Sequence, residues 1–440
     1  MRNKNLLLPR KDEVIYAQNI YGKINKNSLV IGSAGSGKTF GYIQPNICQM
    51  NASYIITDPK GEIFCKTSKM LLNAGYDIKV FSPSCDATYQ NCSNHYNPFE
   101  YLRDKNGNID VEQVILLTKT LLSVDAYENS EDAASIPDPF FIMAEENLLS
   151  ALILYTLNFE EPQNQNLSYI VKLLQQENSA QSIKSRFDQI KTIDKAAECI
   201  DKYKKFKSAP DKTARAIITT LIIKLNSFTI EFVKNITSTA YKEDENGVLI
   251  RDDAQNINLN TINQKKTALF IHMPIMAGRI YQKLATIILG QILNTLYITT
   301  KNSKIHTKIL LDEFCNIGNI PNFPYWLKTI KDMNVSYSIV IQSVPQLKNR
   351  YNELWKDIVN SCDVNVIFGD INKTVVDLAL TNIINSKTIC QINGVVVIEQ
   401  EPFSYNIGQA FWCKLHPNYN SEKMSIEDFM RSCKEENCEK

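Results

Sequence analysis

The stretch that most constrains the fold is a short apolar run followed at once by a glycine-rich turn. Ser28–Ile31 reads SLVI, which is typical of a buried β-strand. The next residues, GSAGSGKT, match the phosphate-binding loop pattern G-x-x-x-x-G-K-[S/T], and a helical pattern follows them. A chance glycine-rich turn is the alternative, but the chain has only 15 Gly in 440 residues. Strand, loop and helix together therefore predict a nucleotide-binding α/β domain.

Each residue type in this loop suits a phosphate ligand. Glycines let the main-chain N–H groups approach phosphate oxygens, Lys38 places a charge on the β- and γ-phosphates, and the Thr39 hydroxyl can ligate Mg²⁺. The sequence contains no N-K-x-D motif for guanine recognition, so ATP with Mg²⁺ is the expected cofactor pair. The residues predicted to bind the nucleotide are Gly32, Ser33, Ala34, Gly35, Ser36, Gly37, Lys38 and Thr39.

Composition excludes several classes of protein. A net charge of +1 provides no overall field to attract nucleic acid, so any DNA contact must come from local patches or from a ring of subunits. Eleven Cys without a C-x-x-C pair, and only four His, argue against zinc and favour a reducing cytosol. The longest apolar segments, Asn147–Phe159 and Leu284–Ile298, are shorter than the roughly 18 residues that a membrane span needs. We therefore expect a cytoplasmic chain without a transmembrane segment.

Alternating strand and helix patterns predict a mostly parallel sheet with right-handed crossovers. Residues 110–235 instead show helical periodicity and few strand signals, which indicates an inserted all-helical domain. The predicted organisation is thus a nucleotide-binding domain in two parts, 1–109 and 236–440, that flank the helical segment. The predicted strands are Ala52–Thr57, Ile78–Phe81, Thr267–Met273, Lys308–Leu311, Ser336–Ile341 and Val364–Phe368, with a hairpin over Ile389–Gln400.

Residues that support hydrolysis are expected at the strand ends. The strand that ends at Leu311 is followed by Asp312, which would hold Mg²⁺ through water, and by Glu313, which would activate the attacking water. Gln342 ends the next strand, where its amide could sense the γ-phosphate. Asp58 and Lys60 end the strand that follows the loop strand, and we include them among the nucleotide-binding candidates. An acidic pair or a polar residue at a strand end is common by itself. These residues become candidates for a functional site because a phosphate-binding loop precedes them in the same chain.

Six stretches resemble the type IV coupling proteins, the TraG/TraD-type conjugative DNA-transfer ATPases of the RecA-like FtsK/HerA group. These stretches occur in order over residues 28–370 and read VIGSAGSGKTFGYIQPNI, TDPKGEIF, YNPFEYL, DPFFIMAEENLLSALILY, LLDEFCNIGNIPNFPYWL and IVIQSVPQLKNRY. The resemblance implies a RecA-like fold and a hexameric, DNA-stimulated ATPase. It also implies partners: single-stranded DNA bound by a relaxase, the relaxosome, and the components of a type IV secretion channel.

The sequence departs from this family's pattern in two places. Family members usually begin with transmembrane helices, which this sequence does not show. We therefore expect recruitment to the inner face of the membrane, with a separate membrane anchor as a candidate partner. The family usually has an Arg, a candidate arginine finger, where this sequence has Lys331. Lysine lacks the planar guanidinium fork, so Lys331 should stabilise the transition state less well, unless Arg350 or Arg279 acts instead.

A local basic patch and the choice between two functions complete the predictions. In residues 201–215 (DKYKKFKSAPDKTAR), Tyr203 and Phe206 alternate with lysines, so bases could stack on the rings while the lysines pair with phosphates. The alternative, which we favour because runs of charge are usually solvated faces, is a helix face whose rings point into the core. The leading functional hypothesis is a DNA-translocating motor, and the second is an ATP-binding recruitment platform that pumps little or no DNA.

Overall fold

The structure is a computed structural model that separates into two compact units. The first comprises Met1–Ser93, Asn258–Ala277 and Ile292–Lys440, and the second comprises Asn94–Ile257 and Gly278–Gln291. The second unit extends beyond the predicted 110–235 on both sides, so the three-part division of the sequence stays a prediction at its boundaries. The residues that the structure describes are 6–8, 15–17, 27–83, 93–123, 138–177, 179–272, 279–329, 333–362, 364–368, 388–392, 395–399, 424, 425 and 428.

The first unit is built on a nine-stranded sheet, counted over its described residues. Its strands pair in parallel except near one edge, where the second strand pairs antiparallel with both of its neighbours. In spatial order the strands, numbered along the chain, are β12 (Thr388–Ile392), β13 (Val395–Glu399), β11 (Val364–Phe368), β3 (Ser28–Gly32), β10 (Val335–Ile341), β9 (Thr307–Leu311), β4 (Ser53–Asp58), β8 (Thr267–His272) and β5 (Asp77–Phe81). A separate antiparallel pair joins β1 (Leu6–Leu8) to β2 (Ile15–Ala17).

The parallel pairing brings the expected functional residues to one edge of the sheet. β3 pairs with β10, β10 with β9, and β9 with β4, all in parallel. Parallel strands share one edge for their carboxyl ends, so the loops after these four strands lie at the same edge. The strands are buried along their lengths, as expected for near-continuous β-branched and aliphatic runs covered on both faces.

The helix after the phosphate-binding loop differs from its prediction. The sequence predicts one helix over Phe40–Met50 that Pro45 ends or kinks. The structure has a wide π-helical turn, Thr39–Ile43, that runs into α1 (Gln44–Cys48), with Pro45 in the first turn of α1. A proline is tolerated there because the first turn of an α-helix leaves its N–H groups without intrahelical partners.

The other helices of the first unit follow the predicted pattern. α2 (Glu62–Asn73) ends before Gly75, which has a φ of 76° and supports the C-terminal turn as expected. α10 (Arg279–Thr299) contributes residues to both units. The remaining helices are α11 (Phe323–Thr329), α12 (Val344–Tyr351) and α13 (Trp355–Asn360). The sequence also predicts a helix over Lys373–Asn385 and a hairpin turn at Asn393-Gly394, and both lie outside the described residues.

Over its described residues, the regular structure of the second unit is helical apart from one small hairpin. Its helices are α3 (Val111–Ser123), α4 (Pro139–Phe159), α5 (Leu167–Leu174), α6 (Ser179–Ile190), α7 (Ala197–Lys207), α8 (Asp211–Leu225) and α9 (Glu231–Ile236). The hairpin pairs β6 (Tyr241–Glu243) with β7 (Leu249–Arg251). Its turn contains Gly247 at a φ of 75°, which matches the Asn-Gly turn signal of the sequence.

Helix α4 matches the helix that the sequence predicts over Pro139–Leu157, but its apolar part is longer than the predicted segment Asn147–Phe159. It spans 21 residues and is the one described helix with the length and composition to cross a membrane, with 67% of its most apolar window buried. The predicted apolar segment began only at Asn147 because Glu145 and Glu146 precede it. In the fold, the Glu145 carboxylate pairs with Lys224 at 2.8 Å. The helix is therefore a buried core element of the second unit.

Candidate nucleotide-binding site

The loop after β3 requires glycine at three positions. Gly35 and Gly37 have φ angles of 75° and 91°, in the left-handed region that favours glycine. Gly32 is required by contact instead, since a Cβ there would lie 2.8 Å from Phe368 Cβ and 2.9 Å from Phe368 O. Phe368 is its partner on β11. A Cβ added at Gly35 would meet no atom within 4 Å, so the loop is open on that side and can accept a phosphate.

Lys38 is held against the loop by main-chain carbonyls. Its side chain is buried, and its ammonium donates hydrogen bonds to Gly32 O and, at 2.9 Å, to Ser33 O. Burial lowers the pKa of the Lys38 ammonium, and the charges of Glu313 and Asp312 act in the opposite direction. The cation is thus positioned at the mouth of the loop, where a polyphosphate would meet it.

Thr39 and Asp312 supply two adjacent hard oxygen atoms. The Thr39 hydroxyl donates to Asp312 Oδ2 at 2.9 Å, and Thr57 Oγ1 donates to the main-chain oxygen of Asp312 at 2.8 Å. Burial raises the pKa of Asp312 to about 6, opposed by the hydrogen bond from Thr39. Among the described residues no group of three or more His, Cys, Asp or Glu could hold a metal. One hydroxyl with one carboxylate suits Mg²⁺, which shares its coordination with phosphates and water.

Glu313 follows Asp312 in a strained conformation. Its φ and ψ are 51° and 44°, which is uncommon for a residue other than glycine and is typical of functional sites. Its Oε2 accepts hydrogen bonds from Gln342 Nε2 at 2.7 Å and from Asn316 Nδ2 at 3.2 Å. Asn316 was missed in the sequence, where it is only part of the segment DEFCNIG. The carboxylate that could act as a base is thus oriented by two amides.

Asp58 and Lys60 lie at the same edge of the sheet, beyond β9. Asp58 is buried, and its Oδ2 accepts from the main-chain N–H of Phe64 at 2.7 Å, in the first turn of α2. Burial raises the pKa of Asp58 to about 7, and this hydrogen bond opposes the shift. Lys60 is exposed, and its charge slightly lowers the pKa of Lys38. Asp58 therefore caps a helix here, and nucleotide contact by either residue stays a prediction.

Comparison with known families identifies the chain. The family model described as type IV secretory system conjugative DNA transfer matches residues 2–379. The chain belongs to this family. A curated relative, the conjugal transfer protein TraG of Rhizobium radiobacter, is 20% identical over 334 residues, which are 74% of this chain and 47% of TraG. The chain thus spans about half the length of the curated relative it matches.

Solved structures of the coupling protein TrwB and of VirB4 share the fold. The unbound coupling protein TrwBdeltaN70 aligns with a TM-score of 0.57 at 12% identity, over 82% of this chain and 74% of TrwB. TrwB in complex with ADP and Mg²⁺ aligns with a TM-score of 0.54 at 14% identity, over 82% and 75%. VirB4 of Thermoanaerobacter pseudethanolicus aligns with a TM-score of 0.53 at 11% identity, over 91% and 96%. The predicted fold class, the α/β fold of RecA-like P-loop NTPases with a mostly parallel central sheet, is confirmed, and the bounds of the inserted all-helical domain stay a prediction.

Not every residue suggested by the resemblance to the conjugative transfer family joins this site. Lys331 and the side chain of Arg279 lie outside the described residues. Arg350, on α12, donates from Nε to the main-chain oxygen of Cys315 at 3.2 Å. The guanidinium of Arg350 is thus used in part to hold the turn after Glu313.

In residues 201–215 the structure has the solvated helix face that the sequence offered as the alternative to base stacking. Tyr203 and Phe206 are buried, with exposures of 8% and 3%, and the Tyr203 ring stacks on Phe187 at 4.1 Å between centroids. The interleaved lysines lie on the outer face, where Lys205 pairs with Asp201 at 2.6 Å and Lys207 with Asp211 at 3.2 Å. The rings belong to the core of the second unit because helical periodicity places them on the same face.

Proposed function

We propose that this chain binds ATP with Mg²⁺, hydrolyses it, and uses the energy to move single-stranded DNA in conjugative transfer. In this proposal it links relaxase-bound DNA and the relaxosome to a type IV secretion channel. One observation carries the proposal: the loop lysine and threonine, Asp312, Glu313 and Gln342 come together at one edge of the sheet. A loop with a purely structural role would not require a lysine, a threonine, two carboxylates and an amide at the same place.

The loop and the two hard oxygens account for binding. Lys38 would exchange its loop carbonyls for the β- and γ-phosphate oxygens, and the loop N–H groups would surround the phosphates. Thr39 would ligate Mg²⁺ directly and Asp312 would hold it through water, consistent with their 2.9 Å contact. Bound Mg²⁺ neutralises charge that develops between the β- and γ-phosphates.

Glu313 and Gln342 account for hydrolysis. The Glu313 carboxylate would orient the attacking water and accept its proton. Gln342, which donates to Glu313 at 2.7 Å, would sense the γ-phosphate through the same amide. An amide that can reach either the base or the phosphate provides a physical link between nucleotide state and the position of the base.

We place this activity in an assembled ring. A net charge of +1 gives a single subunit little attraction for a polyanion, whereas a hexamer repeats each lysine-bearing loop around a channel. Arg350 is engaged in part with Cys315 O of its own chain, and we propose that a neighbouring subunit supplies the charge that completes the site. We further propose recruitment from the cytoplasm to the inner face of the membrane, with a separate membrane protein as anchor if the chain has none of its own.

A recruitment platform is the second candidate. Lys331 stands where the resemblance leads one to expect arginine, and Arg350 is partly engaged with Cys315 O at 3.2 Å. Both features favour slow turnover. In that case ATP binding would assemble the transfer machinery with little or no pumping.

Steady-state ATPase activity with and without single-stranded DNA tests the proposal. We expect wild type to hydrolyse ATP and to be stimulated by DNA, and Lys38→Ala to lose most nucleotide affinity or all turnover. Lys356→Ala is the matched control, because Lys356 is exposed and pairs only with the exposed Glu353. Tight ATP binding without DNA-stimulated turnover would favour the platform, and near-normal hydrolysis by Lys38→Ala would disprove the site.

A further inference from the structure

We propose that Asn316 is a positioning residue that orients Glu313, the proposed general base, throughout the hydrolytic cycle. The inference rests on the proposed ATPase function and adds to it a residue outside the phosphate-binding loop and outside the acidic pair. It derives from the way two amides share one carboxylate oxygen.

The two carboxylate oxygens of Glu313 have different surroundings and therefore different roles. Gln342 Nε2 and Asn316 Nδ2 both donate to Oε2, at 2.7 Å and 3.2 Å. Two donors fill the acceptor positions of Oε2 and set the plane of the carboxylate. Neither donor meets Oε1, so this oxygen remains available to the attacking water.

Asn316 stands on a rigid support. The turn Phe314–Asn316 follows directly from the left-handed Glu313, and Asn316 N–H donates to Glu313 O at 2.8 Å. Phe314 is fully buried and its ring stacks on Tyr351 of α12, with 5.4 Å between centroids and an angle of 4°. A donor on such a turn can hold the carboxylate without following movements of the nucleotide.

Arg350 adds a second tie to the same turn. It also lies on α12, and its Nε donates to Cys315 O at 3.2 Å, next to Asn316. The turn is therefore held both by the stacked ring and by this hydrogen bond. Of the two amides that reach Oε2, the one on this turn is the less able to move away.

The two amide donors differ in what else they can bind. Gln342 ends β10 beside the phosphate-binding strand, so its amide can turn to the γ-phosphate when nucleotide is present. Asn316 is tied to the turn and has no such second role in the proposed mechanism. When Gln342 turns away, Asn316 is the donor that keeps Glu313 oriented.

The test compares Asn316→Ala and Asn316→Asp with wild type in a steady-state ATPase assay. We expect Asn316→Ala to lower kcat about tenfold or more, since a misplaced reacting group has this scale of effect, with KM and the binding of a non-hydrolysable ATP analogue unchanged. Asn316→Asp keeps the shape but removes the donor and faces Glu313 with a like charge, so it should be slower than Asn316→Ala. Asn360→Ala, an exposed asparagine at the end of α13, is the control and should match wild type.

The outcomes separate this inference from the function on which it rests. A purely structural Asn316 would tolerate the isosteric aspartate better than alanine, so the reverse order supports the positioning role. A kcat for Asn316→Ala within about twofold of an active wild type would overturn the inference and leave the ATPase intact. A wild type that binds ATP but never hydrolyses it would overturn both.

Discussion

Replacing Gly32 with alanine tests whether the close approach of β3 and β11 positions the phosphate-binding loop. The added Cβ would lie 2.8 Å from Phe368 Cβ and 2.9 Å from Phe368 O, where about 3.5 Å is the ordinary limit of contact. Ser36 Oγ, at 2.5 Å, can rotate away, but the backbone oxygen cannot. Because β3 is hydrogen-bonded on both sides, the loop must shift by about 0.6 Å, at a cost of about 1–3 kcal/mol.

The assay is equilibrium binding of a fluorescent ATP analogue, with the thermal unfolding midpoint measured in parallel. We expect Gly32→Ala to bind at least about tenfold more weakly, which corresponds to about 1.4 kcal/mol. Gly247→Ala is the control: Gly247 has a φ of 75° with no atom near its added Cβ, so this variant should lose a similar stability of about 1–2 kcal/mol but keep its affinity. Binding by Gly32→Ala within about twofold of wild type would refute the steric reasoning.

Three further predictions address the base, a buried acid and assembly. Glu313→Gln keeps an acceptor for both amides, so it should bind ATP but hydrolyse it about a hundredfold or more slowly; a loss below about threefold would show that Glu313 is not the base. The pKa of Asp58 is raised to about 7, so the folded chain binds more protons than the unfolded chain between about pH 4 and about pH 7, and stability should fall as the pH rises through this window. Asp58→Asn should flatten this fall in the unfolding midpoint, and an unchanged pH profile would contradict the assignment. Specific ATPase activity should rise with protein concentration and fall with salt, and mixing Lys331→Ala with Lys38→Ala should partly restore activity if Lys331 acts across an interface. ATPase activity that changes with neither protein concentration nor salt would indicate a self-contained monomer.

The sheet and the main site residues could be predicted because their signals are local. The loop, the acidic pair and Gln342 each follow a short apolar run, and parallel pairing brings the ends of such runs to one edge. Asp312 and Glu313 therefore lie close to Thr39 and Lys38, and their roles in metal binding and hydrolysis stay predictions. The pattern of the strands and their order along the chain were sufficient for this prediction.

Asn316 could not be predicted because its contact depends on backbone geometry. Asn316 reaches the carboxylate of Glu313 only because Glu313 adopts a φ of 51°. No residue type in this segment predicts that backbone conformation. The contact of Gly32 with Phe368 likewise joins strands more than three hundred residues apart in the sequence. Such contacts are set by tertiary packing and not by local pattern.

The burial of Tyr203 and Phe206 could be predicted from helical spacing. Cys199, Tyr203 and Phe206 are spaced by four and three residues, so they share one helix face, and all three are buried. Helical spacing gave the better prediction, whereas composition alone suggested a stacking surface. The alternation of rings and lysines reflects the two faces of an amphipathic helix.

The central claim is that ATP hydrolysis drives movement along DNA, and displacement of streptavidin from the end of biotinylated single-stranded DNA measures this most directly. We expect wild type to release streptavidin with ATP but not with a non-hydrolysable analogue, and Lys38→Ala and Glu313→Gln to release none. Release should fall with rising salt, since grip on DNA depends on phosphate contacts. DNA-stimulated hydrolysis without any ATP-dependent release would contradict the motor and leave the chain as a recruitment platform.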